Sequence, residues 1–131
     1  MKTPVNTDIT VREKSAWIRW LPNALPAVGY IGLKNSSDER LDITRITSPD
    51  YRSITICRTV TGVEASKTVR HDGVTLSAKG GFAFTPGSYH LVLEKPTRLI
   101  TPGDNARIVF FLGDGKVFKV RVPVRTSPEP H

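Results

Sequence analysis

Short apolar runs separated by turn-forming residues recur along this 131-residue chain, and no segment keeps the 3.6-residue apolar period of a helix. Ten prolines and ten glycines are spread along the chain, and both residue types interrupt regular structure. Within the runs, apolar and polar residues alternate as they do in a half-buried strand. Roughly eight short strands at this spacing predict an all-β fold, either an antiparallel sandwich or a Greek-key barrel.

Length and composition predict one domain over residues 1–131, with its core at about 15–124 and loose tails. No apolar run approaches the ~18 residues of a membrane-spanning helix. The amino terminus lacks the apolar stretch of a signal peptide, which leaves either a cytosolic protein or a mature form with a replaced start. We expect one β core that buries Trp17, Tyr30, Leu33, Leu91, Leu93, Phe110, Phe118, Val120 and Val122.

The net charge of +7 does not by itself indicate a nucleic-acid-binding protein. The basic residues are dispersed, and no DNA- or RNA-binding motif accompanies them. In residues 116–124, Lys119 and Arg121 alternate with apolar residues, as on the solvated face of a strand. We therefore expect no nucleic-acid partner, whereas a basic surface of this kind would suit an acidic protein partner.

Two turn signals predict hairpins. Thr85-Pro86-Gly87-Ser88 separates the apolar runs 82–84 and 89–93, and proline and glycine supply the backbone angles of a β-turn. Gly113-Asp114-Gly115 separates two strongly β segments in the same way. The polar stretch 61–70 fits either a strand or a long excursion.

Motifs for catalysis are missing: the chain has no Gly-rich phosphate loop, G-x-S-x-G, H-E-x-x-H or C-x-x-C. We therefore expect a protein that is not an enzyme. The side chains suited to special chemistry are Cys57, His71 and His90. Cys57 alternates with Ile56, and His90 with Leu91, so both are expected to avoid the aliphatic face. The alternative for Cys57, the single cysteine, is a small buried hydrophobe.

Three blocks of sequence resemble the periplasmic copper(I) chaperones of the PCu(A)C type. They are AWIR at 16–19, AVGYIGLKN at 27–35 and PGSYHLVL at 86–93, in the order of that family. The resemblance covers roughly residues 15–124. It implies a cupredoxin-like Greek-key β-barrel, a periplasmic location, and a role in loading the copper site of cytochrome c oxidase.

The same resemblance carries the four copper ligands of the family, His, Met, His and Met, onto Cys57, Thr68, His90 and Val92. Only His90 is unchanged, and no internal methionine could replace the two thioethers because Met1 is the only methionine. Thiolate and imidazole both suit Cu(I). We therefore expect a non-standard copper site of Cys57 and His90, with His71 as an optional third ligand. The alternative is a metal-free binding or structural module that kept the fold and lost the site.

Overall fold

The computed structural model describes residues 8–21, 26–61, 66–71, 73–85 and 88–126, with side chains for all of these except 13–15, 59–61 and 66–71. None of the described residues forms an α-helix, which confirms the predicted all-β class. The described part of the chain accordingly holds no helix that is long and apolar enough to cross a membrane.

Ten strands account for most of the described residues. They are β1 (Ile9–Arg19), β2 (Ala27–Asn35), β3 (Leu41–Thr47), β4 (Tyr51–Thr61), β5 (Ser66–His71), β6 (Val74–Leu76), β7 (Gly81–Phe84), β8 (Tyr89–Pro96), β9 (Asn105–Leu112) and β10 (Val117–Arg125). In the ambiguous polar stretch 61–70, residue 61 ends β4 and residues 66–70 belong to β5, whereas residues 62–65 lie outside the described residues.

The strands form one sheet that curls into a half-barrel, in the order β5-β4-β8-β2-β1-β10-β9-β3-β6, with β7 also paired to β2. All the ladders are antiparallel except that between β1 and β10, which is parallel. This parallel ladder joins only Ile18 to Val124 and Arg19 to Arg125. This short parallel seam joins the first strand of the fold to the last.

The concave side of the sheet holds the core, to which each of the nine strands with described side chains contributes. Of the predicted core residues, Leu33, Leu91, Leu93, Phe110 and Val122 are fully enclosed. Trp17 and Tyr30 are also buried, but they lie outside the core cluster and pack on each other, with ring centroids 5.3 Å apart.

The prediction that Phe118 and Val120 are core residues needs correction, because both are only half-buried. A bulge between Arg12 and Trp17 separates the first half of β1 from its later register. A groove therefore opens beside β10, and these two side chains line it. Both side chains pack against the edge of the core and remain partly open to this groove.

The hairpin predicted at Thr85–Ser88 is wrong. Both β7 and β8 run antiparallel to β2 and occupy the same edge of it, β7 opposite residues 31–34 and β8 opposite 27–29. Thr85 N–H donates to Tyr89 O at 2.8 Å and Ser88 N–H donates to Thr85 O at 3.1 Å. The chain thus keeps its direction from β7 to β8, because the backbone groups of β2 provide partners for both strands. Residues 86 and 87 themselves lie outside the described residues.

The second predicted hairpin is confirmed. Strands β9 and β10 pair from residue 105 to residue 123 without a register shift. Leu112 N–H donates to Lys116 O at 3.0 Å, and Gly115 has a φ of 88°. A glycine is favoured at that position because a side chain would be strained there.

Candidate functional site

Cys57 on β4 and His90 on β8 lie directly opposite each other in the antiparallel ladder between these strands. Directly opposed residues share one face of a sheet, with β-carbons about 5 Å apart. Their neighbours Ile56 and Leu91 form the next pair and point into the core. Cys57 and His90 therefore share the face that turns away from the core, as alternation predicted.

The Cys57 thiol is buried, with 7% of the residue exposed, although it is not part of the core cluster. Cysteine in such surroundings packs as a small apolar residue, and its thiolate is a soft metal ligand. As the single cysteine of the chain, it cannot form an intrachain disulfide.

His90 is half-buried, and its Nδ1 lies 3.0 Å from the backbone carbonyl oxygen of Ser88. A carbonyl oxygen can only accept a hydrogen bond, so Nδ1 carries the proton and donates it. The neutral ring then has its lone pair on Nε2. Backbone carbonyls orient metal-binding histidines in this way, so Nε2 is the ring atom suited to a metal.

The other predicted positions are placed only by backbone register. In the ladder between β4 and β5, Thr59 pairs with Thr68, Cys57 with Arg70, and Ile56 with His71. The side chains of Thr68 and His71 lie outside the described part of the structure. The role of His71 as a third ligand stays a prediction.

Val92 is two residues beyond His90 on the same strand and pairs with both Thr55 and Val28. Its side chain offers no donor atom, so the fourth ligand position of the resembling family is apolar here. Across the side chains that the structure describes, no three His, Cys, Asp or Glu residues converge as a metal-binding group. The described donors at this site are therefore the pair Cys57 and His90.

A buried carboxylate escaped the sequence-based prediction. Asp50 is fully buried and accepts hydrogen bonds from Arg98 Nε at 3.0 Å and Arg107 Nη2 at 2.9 Å. Its other oxygen accepts from Arg107 backbone N–H at 2.7 Å and from Arg107 Nε at 3.2 Å. The two arginines lie 48 and 57 residues away along the chain, so no local signal could have shown the cluster.

The cluster shifts the ionisation of its members. Hydrogen bonds from the Arg107 side chain hold the pKa of Asp50 well below its ordinary value, against the opposing effect of burial. Asp50 in turn raises the pKa of Arg107, and burial raises the pKa of the neighbouring Tyr51. Asp50 stays ionised at neutral pH, which is typical of a structural ion pair rather than of an acid–base catalyst.

An apolar cleft of about 270 Å³ lies at the opposite end of β4 and β8 from Cys57 and His90. Trp20, Tyr51 and Leu99 line it, and Leu99 is 85% exposed. Tyr51 pairs with Pro96, six positions along the ladder from Cys57 and His90. This corresponds to about 20 Å, so the cleft is not part of the Cys57–His90 site.

Comparison with known proteins identifies the family of this chain. A family model described as "Putative lipoprotein LpqE-like" matches residues 9–124, nearly the whole described part. The chain belongs to the LpqE-like family. The resemblance to PCu(A)C chaperones found in the sequence is confirmed at the level of the fold by solved structures of PCuAC domains. A search of curated proteins finds no match to this LpqE-like chain.

Solved structures of PCuAC domains share the fold of this LpqE-like chain. The copper-bound PCuAC domain from PmoF2 superposes with a TM-score of 0.73 at 20% identity, covering 97% of this chain and 100% of that domain. The apo-DR1885 structure from Deinococcus radiodurans gives 0.67 at 20% identity, covering 100% and 87%. The CuI-DR1885 structure gives 0.63 at 20%, covering 98% and 82%. The predicted cupredoxin-like fold is thereby confirmed.

Proposed function

We propose that this protein binds Cu(I) through the Cys57 thiolate and the Nε2 atom of His90. The observation that supports this best is the direct pairing of the two residues across β4 and β8. Side chains at opposed positions are close enough to share one ion, since each ligand atom lies about 2.0–2.3 Å from a bound metal of this size. Because Nδ1 is engaged by the carbonyl oxygen of Ser88, Nε2 is the ring nitrogen available to the ion.

The donor set favours copper in its reduced state. Thiolate and imidazole are ligands of soft and borderline metals, and two of them satisfy linear Cu(I). Thr68 and Val92 supply no sulfur, so the thiolate provides most of the affinity. Zn²⁺ also binds thiolate and imidazole, but it takes four ligands. His71 stays an optional third ligand, although in the ladder between β4 and β5 its backbone pairs with Ile56 and not with Cys57.

A site of this kind would suit a copper carrier and not an enzyme. A two-coordinate ion has open positions, so ligands of an acceptor protein could attach before Cys57 and His90 detach. Copper would then pass by ligand exchange without release into solution. The resemblance to PCu(A)C chaperones suggests an acceptor such as cytochrome c oxidase and a periplasmic, extracytoplasmic location. The copper-bound PmoF2 and DR1885 domains, which have this fold, support the proposal.

A Cu(I) titration against a competing chelator tests this function. Under anaerobic, reducing conditions, Cys57→Ser should lose nearly all affinity and His90→Ala most of it. Ser53→Ala is the matched control, because Ser53 is an exposed residue of the same strand. His71→Ala should lower affinity only if His71 is a third ligand. Unchanged affinity in Cys57→Ser would refute the carrier.

A metal-free binding or structural module is the second candidate. It is favoured by the apolar Val92 and by the lack of a three-donor group among the described side chains. Metal analysis of protein purified without added copper separates the two candidates. A carrier should retain or readily take up one Cu(I) per chain, and a metal-free module should take up none that survives the chelator.

A further inference from the structure

The two terminal strands diverge along most of their length. Strands β1 and β10 pair only through Ile18 with Val124 and Arg19 with Arg125. The bulge in β1 lies between Arg12 and Trp17, before these pairs. The first half of β1 stays paired with β2 and does not pair with β10. An open groove of about 800 Å³ remains between the first half of β1 and residues 118–125 of β10.

Backbone groups of β10 point into this groove. The carbonyl oxygens of Lys116 and Val124 accept hydrogen bonds from the side of β9, and that of Arg125 accepts one from the side of β1. Successive residues of a strand direct their N–H and C=O groups to opposite sides. Because the ladder with β9 is unbroken, Lys119 and Arg121 direct theirs into the groove. No described residue pairs with them there.

The side chains around this open edge are cationic. Lys119, Arg121 and Arg125 line the groove, and none of the described side chains lining it is acidic. Arg121 lies directly opposite Arg107, and like charges in opposed positions destabilise a sheet. The nearby carboxylate of Asp50 is buried and already bound by two arginines, so the charge of Lys119 and Arg121 remains for a ligand.

We propose that this groove binds an extended acidic segment of a partner protein, which adds to β10 as a further strand. The inference is independent of copper. Alternate acidic side chains of the segment would lie beside Lys119 and Arg121, and the intervening apolar ones would cover Phe118 and Val120 on the floor of the groove. About six residues would span the open edge, which is roughly 20 Å long.

The positive charge of the groove favours an acidic segment over a second copy of the chain. Two copies paired through this edge about a two-fold axis would bring Lys119 and Arg121 against the same residues of the other copy. The terminal stretches 1–7 and 127–131 of the chain hold one acidic residue between them. An anionic membrane surface would satisfy the side-chain charges but would leave the edge backbone groups of β10 unpaired.

A synthetic peptide tests the proposal on the full chain. The probe is an acetylated, amidated heptapeptide in which glutamate alternates with valine, titrated at low salt into ¹⁵N-labelled protein. We expect saturable shifts of the backbone amides of 117–123, and affinity that falls as salt rises. The double variant Lys119→Glu/Arg121→Glu should bind at least about tenfold more weakly. The matched double variant Lys34→Glu/Lys95→Glu, with exposed lysines of other strands, should bind like the original.

Two further peptides separate strand addition from simple attraction of charge. The same peptide with lysine in place of glutamate should not bind. A peptide N-methylated at alternate amides keeps its charge but loses hydrogen-bond donors, and it should bind at least about tenfold more weakly. Equal binding of the N-methylated peptide would overturn the proposal. Dimerisation of the protein with amide shifts confined to β10 would also overturn it. Binding of the protein to phosphatidylglycerol vesicles, without binding of the peptide, would overturn it as well.

Discussion

Arg107 holds the buried carboxylate of Asp50 through both its side chain and its backbone N–H. Asp50 directly precedes β4, and Arg107 lies near the start of β9. The contact therefore ties together two strands that are far apart in the order of the sheet. Arg98 binds the same carboxylate from the loop after β8. One buried charge therefore links the start of β4, the loop after β8 and the start of β9.

Asp50→Asn should lower the free energy of unfolding by about 2–3 kcal/mol, because the amide keeps the shape but loses the charge that binds two arginines. The arginines themselves reach solvent, which keeps the loss below that of a fully buried pair. Urea denaturation at pH 7 measures it. Asp38→Asn is the control, since Asp38 is 91% exposed and pairs only with Lys79. A loss of less than about 0.5 kcal/mol in both variants would contradict the structural role of Asp50.

The same cluster should make stability fall in acid. The pKa of Asp50 is lower in the folded protein than its ordinary value of 3.8, which the unfolded chain has. Its contribution is therefore fully present above about pH 4 and is lost as the pH falls through the folded pKa. Between about pH 5 and pH 3, the stability difference between the original protein and Asp50→Asn should hold down to about pH 4 and then shrink. A difference that stays constant over this range would show that the charge of Asp50 is unimportant.

The Cys57 thiol should react slowly in the folded protein. Only 7% of the residue is exposed, and alkylation needs an accessible thiolate. We expect carboxymethylation by iodoacetate to be at least about tenfold slower in buffer than in urea at the same pH. Bound Cu(I) should slow it further if Cys57 is a ligand. Equal rates in buffer and urea would show that the thiol is exposed.

Asn35 joins the end of β2 to two other segments and should matter to stability. Its side-chain N–H groups donate to the carbonyls of Glu39 at 2.7 Å and Ser77 at 3.1 Å, and its Oδ1 accepts from Ser37 N–H at 3.0 Å. Asn35→Ala should cost about 2–3 kcal/mol in urea denaturation, because these groups lose their partner in a buried place.

Ser53→Ala again serves as the control for Asn35→Ala. It removes one exposed hydroxyl from β4 and should change stability by less than about 0.5 kcal/mol. If Asn35→Ala behaved like this control, water would be replacing the lost hydrogen bonds and the side chain would not be a structural link.

Local patterns were sufficient to predict most strands and one turn. Alternation placed Cys57 and His90 off the aliphatic face, and Gly113–Gly115 has the turn chemistry that its hairpin needs. The loop at Thr85–Ser88 has equally good turn chemistry, yet the chain does not reverse there. Which strand a segment pairs with depends on β2, about fifty residues earlier, and no local pattern contains that information.

The same limit explains the residues that were missed. Asp50 and Asn35 are polar residues beside turns, where exposed side chains are common. Their burial results from partners 41 to 57 residues away. Phe118 and Val120 show the reverse case. Their alternation was identified correctly, but they line the open groove beside β10 and are only half-buried.

The short parallel seam between β1 and β10 has a mechanical consequence. A pull on residue 8 against residue 126 loads these strands in opposite directions along their axes, so the seam is sheared rather than peeled open. Among the described residues, the backbone pairing that resists this load consists of two residue pairs and the bond from Trp20 N–H to Arg125 O. Under tension β1 and β10 should therefore part first and at low force, while the long antiparallel ladders of β4, β8 and β9 remain intact.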